Sequence, residues 1–547
     1  MQAEWMFRIF ARPLLYFLVP VLGCVTLVGS SVFSYSWLSH FISLVCSIQD
    51  DSFYYFIPAW NGGHGSGFTF GGEKTSGFQP LYAVLLTCVS RFCDSLESLV
   101  RLAINLNGWM FALTALVAGL AVGRLVVAAL PGMRRTAVAL SMSVAALSFL
   151  CLHTVFFSSL TGKENALAAL LLATIIWSLL GAGHNRISCA ATGLLCGLLL
   201  LTRIAPASIL YVGIALIAVQ GRTGKLLALA ACLLPVIVWA VFAQLYFGHV
   251  LPMSMLVKMN AGSPVSMLHK IKLGLEYFAE SMKYSLSAHS RFNLLQLPAR
   301  QAARSFFDLT VMVLALGAAA VGLGRCLLQR GFSRPLLLLL AFDAAGVSCN
   351  VVFGTLQVGH TDDIYYSVWY VFDLPVLVAL NCGFAVAWLQ AQFATGRASG
   401  TATAILAIAC VLYFFADIAW YFRLQPYDSS DDAKFAATWP HKKFESAEWF
   451  RNHVQPGNPG YKVAAFSAGA FSYYLFDHVI NLDGLANNAA AETLMAKQSM
   501  VEYVKARKPD YLIEICHGET EFGNLERLHV IPFSKQGDYC IDRFIWK

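Results

Sequence analysis

The stretch SIQDDSFYYF (residues 47–56) places two adjacent carboxylates, Asp50 and Asp51, directly after a long apolar segment that spans residues 14–46. A segment of that length and composition is long enough to cross a membrane. An ionisable group at the edge of a span is costly to place there, and such groups are functional candidates by default. A single Asp could simply mark the end of a helix, so the meaning of the pair depends on what else lies on its side of the membrane.

Charge is distributed unevenly along the chain. The 547 residues are 58% hydrophobic and 13% charged, whereas soluble domains average about 25% charged residues. Residues 1–422 hold 24 Lys and Arg and 15 Asp and Glu, while the much shorter stretch 423–547 holds 14 and 16. This predicts a polytopic α-helical membrane domain over residues 1–422 and a small water-soluble domain over residues 423–547. The net charge of +7 is the sum of +9 in the membrane part and −2 in the soluble part, so it does not indicate nucleic acid as a partner.

Eleven segments have the length and hydropathy of transmembrane helices. The apolar stretch 188–220 is interrupted by Arg203 and Pro206, and we interpret it as two short passes, although one tilted helix would also fit. The candidate spans are residues 14–46, 102–130, 136–157, 165–182, 188–202, 204–220, 226–247, 307–328, 335–356, 369–391 and 401–422.

The loops between these spans differ in charge on the two sides. Alternating eleven spans places 12 basic residues and 1 acidic residue on one side, and 10 of each on the other. Because basic loops stay in the cytoplasm, the N-terminus is predicted to be cytoplasmic. The Asp pair, the longer loops and the C-terminal domain are then predicted to lie outside. A single pass over residues 188–220 would break this agreement.

Four polar segments fall on the predicted outer side. The acidic pair is followed by an aromatic helical face and a glycine-rich run over residues 62–72. The other three are TGKEN with Lys163, YFGHVLPMSMLVK with Lys258, and GHTDDIYYSVWY with His360. Any one of them could be an ordinary solvated loop. Four polar segments on the same side, beside short and broken helices, favour a polar cavity on that side of the membrane.

Several of these segments resemble bacterial membrane glycosyltransferases of the GT-C class. DDSFYYFIPAWNGGHGSGFTF followed by TSGFQPLY is similar to the first outer loop of that class, although Ser76, Gln79 and Tyr82 stand where its pattern has Asn, His and Trp. TGKENALAALLLA, YFGHVLPMSMLVK and GAFSYYLFDHVINLDGLANN resemble other segments of the class. The resemblance implies a GT-C-like fold in the bacterial inner (plasma) membrane. It also implies transfer of a sugar from a polyprenyl-phosphate donor to a glycan, lipid or protein acceptor on the outer face.

The resemblance also suggests roles for the polar side chains. Asp50 is the expected general base for the acceptor hydroxyl, with inversion at the anomeric carbon, and Asp51 is expected to orient the acceptor. Cations for the donor phosphate are expected, in order, from Lys258, Lys163, His360 and Arg203. The residues expected to line the substrate cavity are Tyr54, Tyr55, Glu164, Asp362, Asp363 and Tyr365. Alternatives remain, since Arg203 could be a helix-end side chain that reaches the interface, and Lys258 could form a structural salt bridge.

No cofactor is required by this interpretation, although carboxylates could hold a divalent metal; no spacing typical of metal ligands occurs in the sequence.

Residues 444–547 predict a small α/β domain with a partly parallel sheet, in which Asn481 and Asp483 form either a turn or an acceptor contact. Cys516 and Cys540 could form a disulfide there.

Two other functions fit the composition: a transporter or flippase for lipid-linked sugars, and a non-catalytic glycan-binding membrane protein. The outer position of the polar residues, without inverted repeats, favours the transferase over the transporter.

Overall fold

The structure is a computed structural model of the full chain. The residues that it describes, apart from a few isolated positions, are 21–30, 50–152, 160–181, 185–260, 316–326, 333–357, 372–393, 439–454, 460–496, 500–515, 530–536 and 539–544. The predicted domain boundary near residue 423 lies outside these ranges.

Apolar helices dominate the first part of the chain. A 3-10 turn, Asp50–Ser52, leads directly into α2, and a short hairpin of β1 (Thr69–Phe70) and β2 (Glu73–Lys74) separates α2 from α3. The helices are α1 (Val21–Ser30), α2 (Phe53–Gly63), α3 (Pro80–Ser90), α4 (Leu96–Ala129), α5 (Arg135–Leu150), α6 (Asn165–Leu179), α7 (Arg186–Thr202), α8 (Pro206–Ala218), α9 (Arg222–Phe247), α10 (Met253–Asn260), α11 (Leu316–Cys326), α12 (Arg334–Gln357) and α13 (Leu374–Phe393).

Four of the described helices, α4, α9, α12 and α13, are long and apolar enough to cross a membrane by length and composition. Together with seven shorter apolar helices they identify a membrane protein. The count of eleven spans stays a prediction. The break predicted at Arg203 and Pro206 does divide two separate helices, α7 and α8, because Pro206 starts α8 where its missing N–H costs nothing.

The helices pack at different depths in the bundle. Much of α4 is buried against α5 and α6, whereas α9 packs along α7 and leaves most of its other side chains exposed. Gly193 and Gly197 allow that close approach. A Cβ at Gly193 would overlap with the carbonyl oxygen of Ala228, and a Cβ at Gly197 would overlap with that of Cys232. The exposed apolar side chains of α9 suit contact with lipid: Leu226, Leu229, Leu233, Leu234, Ile237, Val238, Val241, Phe242 and Leu245.

The C-terminal part of the chain folds around a five-stranded mixed sheet with strand order β4-β3-β5-β7-β6. The central strand β3 pairs in parallel with β4 and β5, and the remaining pairs are antiparallel. The elements are α14 (Trp439–His453), β3 (Val463–Ala465), α15 (Gly469–Leu475), β4 (Val479–Asn481), α16 (Asn488–Met495), α17 (Met500–Arg507), β5 (Tyr511–Ile515), β6 (Val530–Gln536) and β7 (Tyr539–Phe544). We call this part, residues 439–544, the C-terminal segment. The Cys516 and Cys540 side chains lie outside the described set.

The glycine-rich loop after α2 packs directly on the C-terminal segment. A Cβ at Gly71 or Gly77 would collide with the carbonyl oxygens of Val479 and Leu485, so only glycine permits this backbone-to-backbone approach. Glu73 of β2 forms an ion pair with Arg507 of α17 across the same contact. The loop that carries the acidic pair is therefore fixed between the helices and the mixed sheet.

Candidate functional site

Asp50 is held by the C-terminal segment. Its Oδ1 accepts hydrogen bonds from the Ala470 N–H at 2.8 Å and lies 3.1 Å from Lys443 Nζ, and its Oδ2 accepts from the Gly469 N–H at 3.3 Å. The Lys443 side chain is 1% exposed and that of Asp50 is 14% exposed. The two amides begin α15, where the helix dipole favours a negative charge. Asp50 therefore joins the outer loop to a segment 419 residues further along the chain.

Burial and charge act in opposite directions on Asp50. Burial raises the pKa of the Asp50 carboxyl above its ordinary value, the Lys443 ammonium and the Ala470 N–H lower it, and the neighbouring Asp51 charge raises it again. Among the described groups, Lys443 is the cation that most lowers this pKa. The ionised state of Asp50 thus depends on a residue of the C-terminal segment.

Asp51 lies in a different environment from its neighbour. Its Oδ2 accepts a hydrogen bond from Lys163 Nζ at 2.9 Å, and its side chain is 43% exposed while that of Lys163 is 8% exposed. The turn that carries Lys163 is fixed from two sides, because Asn107 donates to the Lys163 carbonyl oxygen and Ser52 to that of Thr161. The structure therefore brings two predicted site residues, Asp51 and Lys163, into direct contact.

A third cluster lies deeper, at the junction of α6, α7 and α2. Arg203 Nη1 lies 3.1 Å from Glu164 Oε1 and 2.5 Å from Asn165 Oδ1, and the Tyr55 hydroxyl donates to Glu164 Oε2 at 2.8 Å. Arg203 and Glu164 are both buried. Arg203 thus forms a buried ion pair with Glu164, an arrangement that differs from a helix-end arginine reaching the interface.

Tyr54 faces the C-terminal segment. Its hydroxyl donates to Asp483 Oδ2 at 3.1 Å and accepts from Asn481 Nδ2 at 3.2 Å. Burial, together with the Asp483 charge, raises the pKa of Tyr54 well above its ordinary value, and burial raises the pKa of Asp483 to about 6. Asn481 and Asp483 also accept the N–H groups of Gly484 and Leu485, so they form the predicted turn and a contact with the outer loop as well.

Two residues that depart from the class pattern stabilise contacts between elements. The Ser76 N–H donates to Asn488 Oδ1 at 3.0 Å, which connects the glycine-rich loop to α16. Gln79 Oε1 accepts the Ile204 N–H at 3.1 Å, which connects the start of α3 to the break between α7 and α8. The Ser76 hydroxyl oxygen also accepts the Met253 N–H at 3.2 Å, so both side chains join elements that are distant in the chain.

The remaining predicted site residues cannot be placed against these clusters. The backbone of Lys258 lies in α10, which packs on α16, and its side chain is outside the described set. His360, Asp362, Asp363 and Tyr365 lie outside the described residues. In the part of the chain that the structure covers, no group of three or more His, Cys, Asp and Glu side chains is arranged to share a metal ion.

Lys443 is a residue of this site that the sequence pattern does not indicate. It stands in a charged, soluble-looking stretch, HKKFESAEWF, and nothing local distinguishes it from a solvated lysine. Its role becomes visible only in the structure, where the buried Lys443 side chain pairs with Asp50, a carboxylate far away in the chain.

Comparisons with known proteins bear on the fold. Residues 434–542 match a family described as a domain of unknown function, DUF8728. No curated protein sequence matches the chain significantly. The structure is similar to that of ArnT from Cupriavidus metallidurans bound to undecaprenyl phosphate, with 12% identity and a TM-score of 0.54 over 99% of this chain and 98% of that one. The apo state of the same protein gives 10% identity and the same TM-score and coverage.

A second similar structure is the archaeal oligosaccharyltransferase AglB from Archaeoglobus fulgidus in complex with an inhibitory peptide and a dolichol-phosphate. It has 12% identity and a TM-score of 0.50 over 95% of this chain and 74% of that one. The resemblance found in the first outer loop is confirmed at the level of architecture: the chain has a GT-C fold.

Proposed function

We propose that this protein is an inverting glycosyltransferase that moves a sugar from a polyprenyl-phosphate donor to an acceptor on the outer face of the bacterial inner membrane. The observation that carries the proposal is that two adjacent carboxylates of a GT-C fold each form an ion pair with a buried lysine. Asp50 pairs with Lys443, and Asp51 pairs with Lys163. Similar structures hold undecaprenyl phosphate in ArnT and a dolichol-phosphate in AglB, which supports a lipid-phosphate donor.

The reaction needs one base and a cation for the leaving group. Asp50 accepts the proton of the acceptor hydroxyl as that oxygen bonds to the anomeric carbon. The bond between the anomeric carbon and the phosphate oxygen breaks, its electron pair remains on that oxygen, and polyprenyl phosphate leaves. Direct displacement inverts the anomeric centre without a covalent sugar–enzyme intermediate.

Asp50 is suited to this role because, within the described part of the chain, its Oδ2 accepts one long hydrogen bond, from the Gly469 N–H at 3.3 Å. A carboxylate oxygen offers two acceptor positions, so an acceptor hydroxyl can approach it while Oδ1 remains anchored to Lys443 and Ala470. Its raised pKa also brings the base closer to neutral pH, which favours proton transfer.

Lys163 and Asp51 form a pair that a donor phosphate can open. The donor phosphodiester carries one negative charge, and the leaving polyprenyl phosphate, a monoester, carries up to two. The charge that attracts the Lys163 ammonium away from the half-exposed Asp51 therefore grows as the bond to the sugar breaks. Asp51, at 43% exposed, then becomes available to hydrogen-bond the acceptor. Lys258 is proposed to supply a second cation, because α10 follows α9 at its outer end. These steps require no cofactor.

The test uses purified protein in lipid vesicles, with undecaprenyl phosphate linked to radiolabelled pentoses or hexoses and with glycan, glycolipid and peptide acceptors. We expect label in one acceptor class and release of undecaprenyl phosphate. Asp50→Asn should lose transfer, and Asp94→Asn, an exposed carboxylate of the same loop, should retain it. Movement of intact labelled donor across the bilayer would identify a transporter instead, and glycan binding without bond cleavage a binding protein.

A further inference from the structure

Lys443 is a buried cation of the C-terminal segment that contacts the acidic pair, with its Nζ 3.1 Å from Asp50 Oδ1. It lies near the start of α14, and its Nζ donates to the Ser467 carbonyl oxygen at 2.8 Å as well as pairing with Asp50. The ammonium also lies 5.6 Å from the centre of the Phe471 ring. A buried ammonium is strongly disfavoured unless it is paired and hydrogen-bonded, so this side chain is held in one place by what surrounds it.

The charges around Asp50 come from five elements. The 3-10 turn contributes Asp51, α2 contributes Tyr54, and the loop after β4 contributes Asp483, all of which are negative or neutral. The start of α15 contributes the N–H groups of Gly469 and Ala470, and α14 contributes Lys443. Lys163 is the second described lysine in the region, and it contacts Asp51. The region therefore holds three carboxylates, Asp50, Asp51 and Asp483, and two described lysines, of which Lys443 pairs with Asp50.

We propose that Lys443 is a positioning residue of the transferase site, which keeps Asp50 ionised and correctly oriented, so that the C-terminal segment completes the catalytic centre. The inference rests on the proposed function and extends it. Lys443 acts through Asp50, since its ammonium lies 3.1 Å from Asp50 Oδ1 and is fixed there by the Ser467 carbonyl oxygen. The C-terminal segment is then required for chemistry in addition to any contact that it makes with the acceptor.

The sign of the expected effect follows from the charges. Loss of the positive charge at Lys443 removes the main interaction that favours the ionised Asp50, so the carboxylate takes up a proton at higher pH than before. A nearby opposite charge lowers a carboxyl pKa by roughly one to three units. The acid limb of the pH–rate profile should therefore move to higher pH by about that amount, and transfer should recover partly in alkaline buffer.

The experiment measures sugar transfer against pH for the wild-type protein, Lys443→Met and Lys443→Gln. Methionine keeps the length of the apolar stem without the charge, and glutamine keeps a polar group, so the pH shift can be measured in whichever variant folds. Lys505→Met is the matched control, since Lys505 is an exposed lysine of the same segment. We expect both Lys443 variants to show the shifted acid limb and the control to show none.

A double variant separates positioning from general stability. Because Lys443 acts through Asp50, adding Lys443→Met to Asp50→Asn should cause little further loss of transfer. If the acid limb is unchanged in both Lys443 variants, and their loss of rate follows their loss of thermal stability, Lys443 is only structural. A wild-type protein that transfers no sugar from any donor would refute the proposed function itself, which is a different outcome.

Discussion

Asp50 and Asp51 are adjacent in the chain but belong to two different regions of the molecule. Asp50 lies among buried groups of the C-terminal segment, with Lys443 and two backbone amides, and is 14% exposed. Asp51 lies on the side of the turn before α6, contacts Lys163 and is 43% exposed. The 3-10 turn separates them because successive residues of a helical turn do not share a face.

The difference shows how one acidic motif can provide two kinds of carboxylate. A buried carboxylate with a fixed cation keeps its orientation and has a pKa set by that partner. A half-exposed carboxylate is paired more weakly, because solvent screens the charges, and it can exchange its partner for a ligand. This division of roles between the two carboxylates can be tested by experiment.

The first prediction concerns the side of the membrane and is all-or-none. Asp50 and Lys443 are in contact, so the outer loop and the C-terminal segment must lie on one side. A reporter that is active only outside the cytoplasm, fused after Lys547, should be active. The matched control is a fusion after Arg222, in a predicted cytoplasmic loop, which should be inactive. A silent but well-expressed fusion after Lys547 would overturn the span count and the proposed outer site.

The second prediction sharpens the contrast between buried and exposed ion pairs. Arg203→Met leaves the buried Glu164 without its cation, which should cost roughly 3–5 kcal/mol of stability. Lys505→Met breaks an exposed pair with Glu502 and should cost less than about 1 kcal/mol. Thermal unfolding in detergent measures both.

Removing both charges of the buried pair provides the control. Arg203→Met combined with Glu164→Gln should recover much of the lost stability, because no uncompensated buried charge remains. Equal losses for Arg203→Met and Lys505→Met would show that burial does not set the strength of these pairs.

The third prediction concerns the cations proposed for the donor phosphate. Lys163→Ala and Lys258→Ala should each weaken binding of undecaprenyl phosphate by about ten-fold, since a charge-assisted contact contributes roughly 1.4 kcal/mol or more. Asp51→Asn should have the opposite sign and tighten binding a few-fold, because it removes the competitor for Lys163. Equilibrium binding to labelled undecaprenyl phosphate in detergent gives all three values. Unchanged affinity in both lysine variants would remove them from the phosphate site.

The sequence predicts features that depend on local composition better than features that depend on distant partners. The break at Arg203 and Pro206 and the helical membrane part follow from hydropathy and from proline, which act within a few residues. The contact of Asp51 with Lys163 is compatible with the prediction that both face one side, although the sequence could not specify their distance. The GT-C fold followed from the motif in the first outer loop.

The contacts between Asp50 and the C-terminal segment could not be predicted in the same way. The pairing with Lys443 depends on how two parts of the chain, about four hundred residues apart, pack together, and neither residue carries a local signal of it. Tyr54 shows the same limit: its position beside an acidic pair predicts a cavity wall, but the sequence does not specify that its hydroxyl bonds to Asp483 and Asn481. Hydropathy identifies which residues are buried together and leaves open which polar groups pair.

The most direct test of the division of roles is single-turnover sugar transfer at saturating labelled donor, compared for wild type, Asp50→Asn and Asp51→Asn. A general base contributes roughly 10²–10⁴-fold, so Asp50→Asn should fall by about that factor while it still binds undecaprenyl phosphate. Asp51→Asn should lose less than about ten-fold, since it orients the acceptor without taking its proton. Near-normal transfer by Asp50→Asn together with a collapse in Asp51→Asn would contradict the account, because the exposed carboxylate would then be the base.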